Sequence, residues 1–181
     1  MDILVTKRLT LRPPLDVDAE AITSALQNTN VTRMLSAAPQ PYGTSDAQSW
    51  INRWQDKQDK TCFVIYRQKL MGVVSVEKTK GTANLGYWLD EPHWGKGYMS
   101  EATRAVVSHV FRKHGYDEIT SGAYEDNPGS QRILEKLGFE QAEITPDFNK
   151  TRNCEVSCQR VKLTRSTFER LFGSLDETKA A

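Results

Sequence analysis

The stretch from residue 61 to residue 124 constrains the fold most, because its strand-like and helix-like patterns follow one another in an order that few sheets accommodate. Three strand-like runs, "TCFVIYR", "LMGVVSVEK" and "NLGYWLD", are separated by short turns and predict an antiparallel meander. A helical pattern, "SEATRAVVSHVFRKHG", and a fourth strand at 116–124 come next. Because a helix joins them, the strands at 84–90 and 116–124 are predicted to be parallel neighbours connected by a right-handed crossover.

The segments before the meander predict one more strand and two helices. "KRLTLRP" alternates apolar and polar residues and predicts a first strand. "DVDAEAITSALQN" predicts a helix whose apolar side consists of Val17, Ala21, Ile22, Ala25 and Leu26. A second helix is predicted to begin with a capping box of Ser45 and Gln48. Its buried side is predicted to consist of Ala47, Trp50, Ile51 and Trp54.

The segment after residue 124 predicts a well-capped helix, a strand or two, and a short terminal helix. Asn127 is a strong N-cap residue and Gly138 fits the C-terminal cap. In "CEVSC", alternate residues share one strand face and are expected to be small core residues: Cys154, Val156 and Cys158. We therefore expect an α+β fold in a single domain of residues 1–175, followed by a frayed tail at 176–181.

Composition and charge exclude several classes of protein. A chain of 181 residues with 38% hydrophobic and 26% charged residues and a mean hydropathy of −0.58 is expected to form one ordinary globular core. The net charge of +1 disfavours direct nucleic-acid binding. Asp2 and Lys7 lie too early for a signal peptide and no apolar run could span a membrane, so we expect a cytoplasmic protein. Three cysteines without a His or Cys cluster predict no metal site.

The segment "EPHWGKGYMSEA" carries the clearest sign of a ligand. It follows a predicted strand, turns through Gly95 and Gly97, and leads directly into a predicted helix. Backbone N–H groups at such a turn converge on one point, and the helix dipole adds partial positive charge there, so we expect a bound phosphate group. The spacing is not that of a Walker loop. It is also not the dinucleotide fingerprint, because Ser100 stands where the third glycine belongs.

Two longer motifs together carry a family resemblance. "GYWLDEPHWGKGYMSEA", followed about thirty residues later by "NPGSQRILEKLGFE", resembles the acetyl-CoA-binding signature of the GNAT superfamily of N-acetyltransferases. "TKRLTLRP" resembles the start of its RimJ/RimL branch, which acetylates N-terminal α-amines of ribosomal proteins. The resemblance covers residues 5 to 165. It implies a mostly antiparallel sheet of about seven strands flanked by helices, with a splayed parallel pair at 84–90 and 116–124.

The resemblance also implies which residues bind acetyl-CoA, the expected cosubstrate. The pantetheine arm would lie in the gap between the splayed strands, and the pyrophosphate would lie on the glycine turn. In the family pattern Trp94 holds a place usually taken by Gln or Arg, and Met99 is bulkier than the usual Gly or Ala. The implied coenzyme-binding residues are Tyr87, Leu89, Trp94, Gly95, Lys96, Gly97, Tyr98, Met99, Ser100, Asn127 and Ser130.

Two departures from the family pattern concern catalysis. Leu134 stands where many relatives have a tyrosine that protonates the departing thiolate, so Ser130 is the hydroxyl expected to act there, with Asn127 holding the pantetheine or a water. Asn84 stands where relatives often carry a Glu base, and an amide cannot accept that proton. The base is left open between Glu77 and direct loss of a proton to water. In the alternative interpretation, Ser130 and Asn127 serve only to begin a helix, and Glu77 is a solvated strand residue rather than a base.

The resemblance implies an acetyltransferase that acts by direct attack of a primary amine, most plausibly the N-terminal α-amine of a ribosomal protein. The open alternatives are a small-molecule amine as acceptor and a coenzyme A-binding module without turnover. Loops at 34–45 and 145–153 are expected to flank the acceptor entrance. The three histidines, His93, His109 and His114, are expected at the surface or at helix ends without carboxylate partners. We expect no nucleic-acid or membrane partner, and a homodimer is an open option.

Overall fold

The computed structural model describes residues 2–55, 60–79 and 82–175, and within these ranges the chain forms one sheet of eight strands and six α-helices. The strands are β1 (Leu4–Val5), β2 (Thr10–Arg12), β3 (Lys60–Arg67), β4 (Lys69–Thr79), β5 (Thr82–Leu89), β6 (Glu118–Tyr124), β7 (Glu140–Asn149) and β8 (Cys154–Thr164). The α-helices are α1 (Ala19–Leu26), α2 (Thr29–Thr32), α3 (Thr44–Gln55), α4 (Tyr98–His114), α5 (Pro128–Leu137) and α6 (Arg165–Phe172). The predicted tail at 176–181 lies outside the described residues.

The sheet order confirms the predicted α+β topology. The strands lie in the order β1-β2-β3-β4-β5-β6-β8-β7. All neighbours are antiparallel except β5 and β6, which are parallel and joined through α4 as predicted. The sheet has eight strands rather than about seven because the two-residue β1 pairs in front of β2. This arrangement places the glycine turn and the start of α4 directly after the end of β5.

Two hydrophobic clusters cover the opposite faces of the sheet. The larger contains residues of α4, α5 and α6, including Val106, Leu134 and Phe168. The smaller contains residues of α1 and α3, such as Ile22 and Ile51. Strand β5 contributes to both, because its side chains alternate between the two faces. A ligand between β5 and β6 therefore meets walls from both layers.

Helix predictions hold where the periodic pattern is strong, and those for α1 and α3 are wrong at the N-terminal end. Ala47, Ile51 and Trp54 are buried on α3 as predicted. The Ser45 capping box is wrong, since α3 already begins at Thr44 and the Asp46 carboxylate accepts a hydrogen bond from the Gly43 N–H at 2.9 Å. This local bond satisfies a free N–H, and the helix begins two residues earlier than a Ser45 N-cap predicts.

The first helix is shorter than the pattern predicts. Residues Asp16–Asp18 form a 3₁₀ turn before α1, which changes the angle at which each side chain leaves the helix axis. Val17 is consequently 79% exposed rather than part of the apolar side. Ala21 is also exposed, whereas Ile22, Ala25 and Leu26 are buried as predicted.

The C-terminal hairpin corrects two expectations. The segment at 145–153 is a loop only at 150–153, because β7 continues to Asn149 in register with β8. Cys158 is buried, but Cys154 is exposed, so the expectation of a core position is wrong for Cys154. Cys154 is the first residue of β8 and pairs with the last residue of β7, where the hairpin extends beyond the core.

Candidate active site

Strands β5 and β6 form a fork, and the fork opens the cleft. They pair only at Ala83 with Ile119 and at Asn84 with Thr120. One residue further along, the Ser121 hydroxyl donates to the Leu85 carbonyl oxygen at 2.9 Å, so a side chain takes over where the backbone ladder ends. Beyond that point lies a cleft of about 860 Å³. This volume falls within the range of small-molecule and cofactor sites.

The structure brings nearly all the predicted site residues together in this cleft. They line it from β5, from the turn before α4 and from the start of α5. The lining includes Asn84, Tyr87, Leu89, Trp94, Gly95, Gly97, Tyr98, Met99, Ser100, Asn127 and Ser130. Lys96 is the exception, because its side chain lies outside the lining and its Nζ donates to the Pro92 carbonyl oxygen at 2.8 Å.

The turn before α4 presents free backbone donors. Gly95 and Gly97 have φ angles of 72° and 74°, a left-handed conformation that glycine adopts without strain. Gly97 is the N-cap residue of α4 and supplies no side-chain cap, so the first N–H groups of the helix remain available to a ligand. Met99 is buried in the larger core cluster, and its bulk therefore packs away from these donors. The donor set fits an anion such as a diphosphate.

A carboxylate in the first turn of α4 fixes this turn to the N-terminal segment. Glu101 accepts hydrogen bonds from the Thr6 hydroxyl at 2.6 Å, the Arg8 N–H at 2.8 Å and the Arg8 Nε at 2.6 Å. Arg8 also donates to the Lys96 carbonyl oxygen at 2.9 Å. Burial opposes ionisation of Glu101, but the bonds from Thr6 and Arg8 outweigh it and lower the pKa of this carboxyl. Sequence reasoning missed this contact, although it joins two of the motifs quoted above.

Two aromatic residues at the turn have structural partners. The Tyr98 ring lies beneath the Arg8 guanidinium at 4.7 Å, and its hydroxyl accepts a hydrogen bond from Arg67. The indole N–H of Trp94 donates to the Leu89 carbonyl oxygen at 2.6 Å. The carbonyl oxygen of Leu89, one of the predicted coenzyme-binding residues, is therefore already an acceptor for Trp94.

The start of α5 places the Ser130 hydroxyl in the cleft, next to the hydroxyl of Tyr87 from β5. Asn127 caps the helix as predicted, and its Oδ1 accepts a hydrogen bond from the Ser130 N–H at 3.1 Å. The Ser130 hydroxyl lies 2.7 Å from the Tyr87 hydroxyl. Burial raises the pKa of Tyr87 above its ordinary value, although the bond with Ser130 acts in the opposite direction. Leu134 is fully buried and brings no polar atom to the site.

The candidate bases are placed differently from expectation. Asn84 donates from Nδ2 to the Thr120 hydroxyl at 3.2 Å, and Glu77, opposite it on β4, forms an ion pair with Arg53 outside the cleft lining. His93 ends a short 3₁₀ helix, which fits the expected helix-end position, but it also lines the cleft and its side chain is only 14% exposed. Its Nδ1 lies 3.8 Å from Asp90 Oδ2, so the expectation of no carboxylate neighbour is wrong.

His109 and His114 lie away from the cleft lining, on the last turns of α4. His109 has a carboxylate neighbour, since its Nε2 is 3.4 Å from Asp2 Oδ2, and burial lowers the pKa of this imidazole. The Nε2 of His114 lies 3.1 Å from the Thr61 hydroxyl. Neither ring is positioned to meet a ligand in the fork.

Hydrogen bonds and ion pairs join the segment after α2 to the β7–β8 turn, and we call this set of contacts the strap. Its residues are Arg33, Leu35, Asp126, Asn149 and Arg152. The fully buried Asn149 side chain donates to the Arg33 and Leu35 carbonyl oxygens at 3.0 and 3.2 Å. Arg152 donates to the same Arg33 carbonyl at 2.8 Å and pairs with Asp126, which also pairs with the Arg33 guanidinium. An acceptor cannot pass between the two segments without breaking these bonds. The two segments predicted to flank an open entrance are therefore joined to each other.

Within the described ranges, no group of three or more His, Cys, Asp or Glu side chains could hold a metal ion. No helix in that part of the chain is both long enough and apolar enough to cross a membrane.

Comparison with known proteins agrees with the fold. Residues 8–140 match the family model described as Acetyltransferase (GNAT) domain. The N-acetyltransferase YoaA of Bacillus subtilis is 31% identical over 147 residues, which cover 77% of this chain and 83% of YoaA. The ribosomal-protein-serine acetyltransferase of Escherichia coli is 35% identical over 81 residues, covering 42% of this chain and 45% of that protein. Among solved structures, RimL, a ribosomal L7/L12 α-N-protein acetyltransferase in complex with coenzyme A, superimposes with a TM-score of 0.80 at 19% identity, covering 90% of this chain and 98% of RimL.

The contacts of Glu101 generate a prediction about stability. Glu101→Gln keeps the shape of the side chain but removes the charge that strengthens three hydrogen bonds, so we expect a loss of about 2 kcal/mol in the free energy of unfolding at pH 7. Because the folded-state pKa is lowered, the contribution is present above the unfolded pKa of about 4.3 and is lost as pH falls through the folded pKa. Urea unfolding at pH 7 and at low pH measures both effects. Glu20→Gln, on the exposed side of α1, is the control, and equal losses in the two variants would contradict the assignment.

Proposed function

The chain belongs to the GNAT acetyltransferase family and is an N-acetyltransferase of that type; from this premise we propose that it moves acetyl from acetyl-CoA to the N-terminal α-amine of a protein, of the ribosomal kind. The observation that carries the proposal is the fork between β5 and β6, with the uncapped start of α4 at its outer end. The names of RimL and of the Escherichia coli relative support the choice of acceptor.

The cleft offers groups suited to the phosphates and to the pantetheine arm of the coenzyme. The diphosphate accepts hydrogen bonds from the N–H groups of the glycine turn and of the first turn of α4. Arg132 and Lys136, which also line the cleft, add positive charge for phosphate groups. The pantetheine arm follows the unpaired edge of β5 past Leu89 and Tyr87, and its thioester lies near Ser130. The proposed coenzyme-binding set is thus Tyr87, Leu89, Trp94, the turn from Gly95 to Ser100, Asn127 and Ser130, with Lys96 taking part through its backbone.

The proposed reaction is direct attack of a neutral amine on the thioester carbonyl, without a covalent enzyme intermediate. A carbon–nitrogen bond forms, the carbon–sulfur bond breaks, the sulfur gains a proton and the amine loses one. Ser130 lies in the first turn of α5, where the helix dipole favours the negative charge that develops on sulfur. Asn84 cannot accept the amine proton, and Glu77 is engaged by Arg53. The acceptor must therefore arrive neutral, which favours an α-amine over a lysine side chain.

The strap further limits which amines can reach the fork as acceptors. It joins two walls of the cleft, the α2 side with Val31, Met34 and Leu35 and the hairpin side. An acceptor that reaches the fork beneath this strap must be slender. An extended N-terminus satisfies this requirement better than a lysine on a folded surface. A small-molecule amine is the second candidate, because the same geometry admits it.

The coenzyme placement predicts a contrast between two glycines at opposite ends of α4. Gly97 and Gly115 both have left-handed φ angles, of 74° and 62°, so valine strains the backbone at either position. Only Gly97→Val disturbs the donors proposed to hold the diphosphate. We expect coenzyme A to bind at least about tenfold more weakly to Gly97→Val, with Gly115→Val unchanged. Calorimetric titration at a temperature where both variants are folded measures this, and wild-type affinity in Gly97→Val would contradict the placement.

The acceptor assignment predicts how rate depends on pH. Two peptides of the same sequence are compared from pH 6 to 9, one with a free N-terminus and a blocked lysine, the other with the reverse. Without an enzyme base, kcat/KM should follow the neutral amine, and the reference pKa values of about 8 and 10.4 predict roughly a hundredfold preference for the N-terminal peptide at pH 7.

Two results would contradict the acceptor assignment. One is preferential acetylation of the lysine peptide. The other is a rate controlled in both peptides by one titrating group of the enzyme, which would show that a base takes part. His93→Gln tests the second case directly, since the variant should keep the wild-type pH profile if no histidine takes part.

A further inference from the structure

Tyr87 and Ser130 reach each other from opposite walls of the cleft. Tyr87 comes from β5 after the fork has opened, and Ser130 comes from the first turn of α5. Their hydroxyl oxygens are 2.7 Å apart, and the Tyr87 hydroxyl is also 3.2 Å from the Ser130 carbonyl oxygen. Both residues line the cleft. The pair is therefore open to a ligand in the fork as well as bonded internally.

Resting on the proposed function, we propose that Tyr87 is a positioning residue that delivers, through Ser130, the proton taken up by the sulfur of coenzyme A as it leaves. In this relay the carbon–sulfur bond breaks, the sulfur takes the proton of the Ser130 hydroxyl, and Ser130 takes the proton of the Tyr87 hydroxyl. The proton that the amine loses returns to Tyr87 through water. Every proton is thereby accounted for, and no further reactant is needed.

Acid strength favours this order of transfer over Ser130 acting alone. A phenol has a reference pKa of about 10 and a thiol one of about 8.5, whereas a serine hydroxyl is a much weaker acid than either. Burial raises the pKa of Tyr87 and narrows this advantage, but burial disfavours a serine alkoxide as well, so the phenol remains the stronger acid of the pair. Efficient proton transfer depends on such matching between donor and acceptor.

Neighbouring groups keep the Tyr87 and Ser130 hydroxyls protonated and in place to donate. Burial raises the pKa of Tyr87, so the phenol keeps its proton at neutral pH until the sulfur becomes negative. Asn127 accepts the Ser130 N–H and fixes the backbone of that residue. The N-terminal end of α5 stabilises negative charge beside both hydroxyls. Leu134, a turn further along the helix, contributes only apolar packing, so the phenol reaches the site from the strand instead.

A structural role is the competing explanation, in which the Tyr87 hydroxyl only fastens β5 to α5. The two explanations differ in a property of bound coenzyme A that needs no turnover. If the pair donates to sulfur, it stabilises the thiolate, and the thiol of bound coenzyme A ionises at lower pH than free thiol. The ultraviolet absorbance of the thiolate reports this titration at saturating coenzyme A without acceptor.

The experiment uses Tyr87→Phe, Ser130→Ala and the double variant that carries both substitutions. Tyr42→Phe is the control, because it removes the hydroxyl of a buried tyrosine in the smaller core cluster. We expect Tyr87→Phe to raise the bound thiol titration by about one pH unit and to lower kcat about 10- to 100-fold, with KM for acetyl-CoA within about threefold. Ser130→Ala should lower kcat by about 10- to 1,000-fold, and the double variant should be no worse than Ser130→Ala, because both residues serve one relay. Tyr42→Phe should leave both measurements unchanged.

The relay would be overturned if Tyr87→Phe kept the wild-type kcat and the wild-type titration of the bound thiol. It would also be overturned if the loss of kcat in the double variant equalled the product of the losses in the two single variants. If Tyr87→Phe does not fold, fluorotyrosine at position 87 keeps the shape and lowers the phenol pKa. A relay then predicts that the pH dependence of kcat shifts to lower pH, and an unshifted pH dependence overturns it.

Calorimetric titration with coenzyme A separates failure of the proposed function from failure of the relay alone. Absence of binding overturns the proposed function together with the relay, whereas binding with an insensitive Tyr87 overturns the relay alone.

Discussion

The hydrogen bonds of the Glu101 carboxylate are the contact on which the coenzyme end of the site depends. They join the first turn of α4 to the Thr6–Arg8 segment, and Arg8 continues to the Lys96 carbonyl within the glycine turn. The backbone donors of the turn therefore have a fixed direction before any ligand arrives, and a preorganised anion site loses little entropy on binding. The remainder of α4 is anchored in the core by Val106 and Val110, so the turn is held at both of its ends.

At the other end of the site, the proposed function depends on the part of β5 that does not pair with β6. The β5–β6 ladder stops at Asn84, and Ser121 satisfies the next carbonyl. Backbone groups further along β5 face an open cleft, where a ligand with amide groups can complete their hydrogen bonds. The pantetheine arm of coenzyme A carries two such amides. In the proposed arrangement, a coenzyme that follows β5 brings its thioester beside Tyr87 and Ser130.

Much of the fold could be predicted because its signals are local. Gly115, Asn127 and Gly138 mark helix ends by their own conformational preferences, and the meander follows from alternation within each strand. What the sequence could not show depends on contacts between distant segments. Tyr87 and Ser130 are 43 residues apart, and Arg33 and Arg152 are 119 apart. His93 illustrates the same limit, since spacing alone could not show that a turn between β5 and α4 would direct its ring into the cleft.

The central claim is that acetyl-CoA binds along β5 with its diphosphate on the turn before α4 and its thioester at the start of α5. Hydrogen–deuterium exchange of the wild-type protein, with and without coenzyme A, tests it most directly because it needs no substitution. The account predicts slower amide exchange at residues 95–101 and 127–131, with exchange in β7 unchanged. Unchanged exchange in both of those segments, or protection confined to the separate cavity beside β2 that Lys7 and Arg67 line, would contradict it.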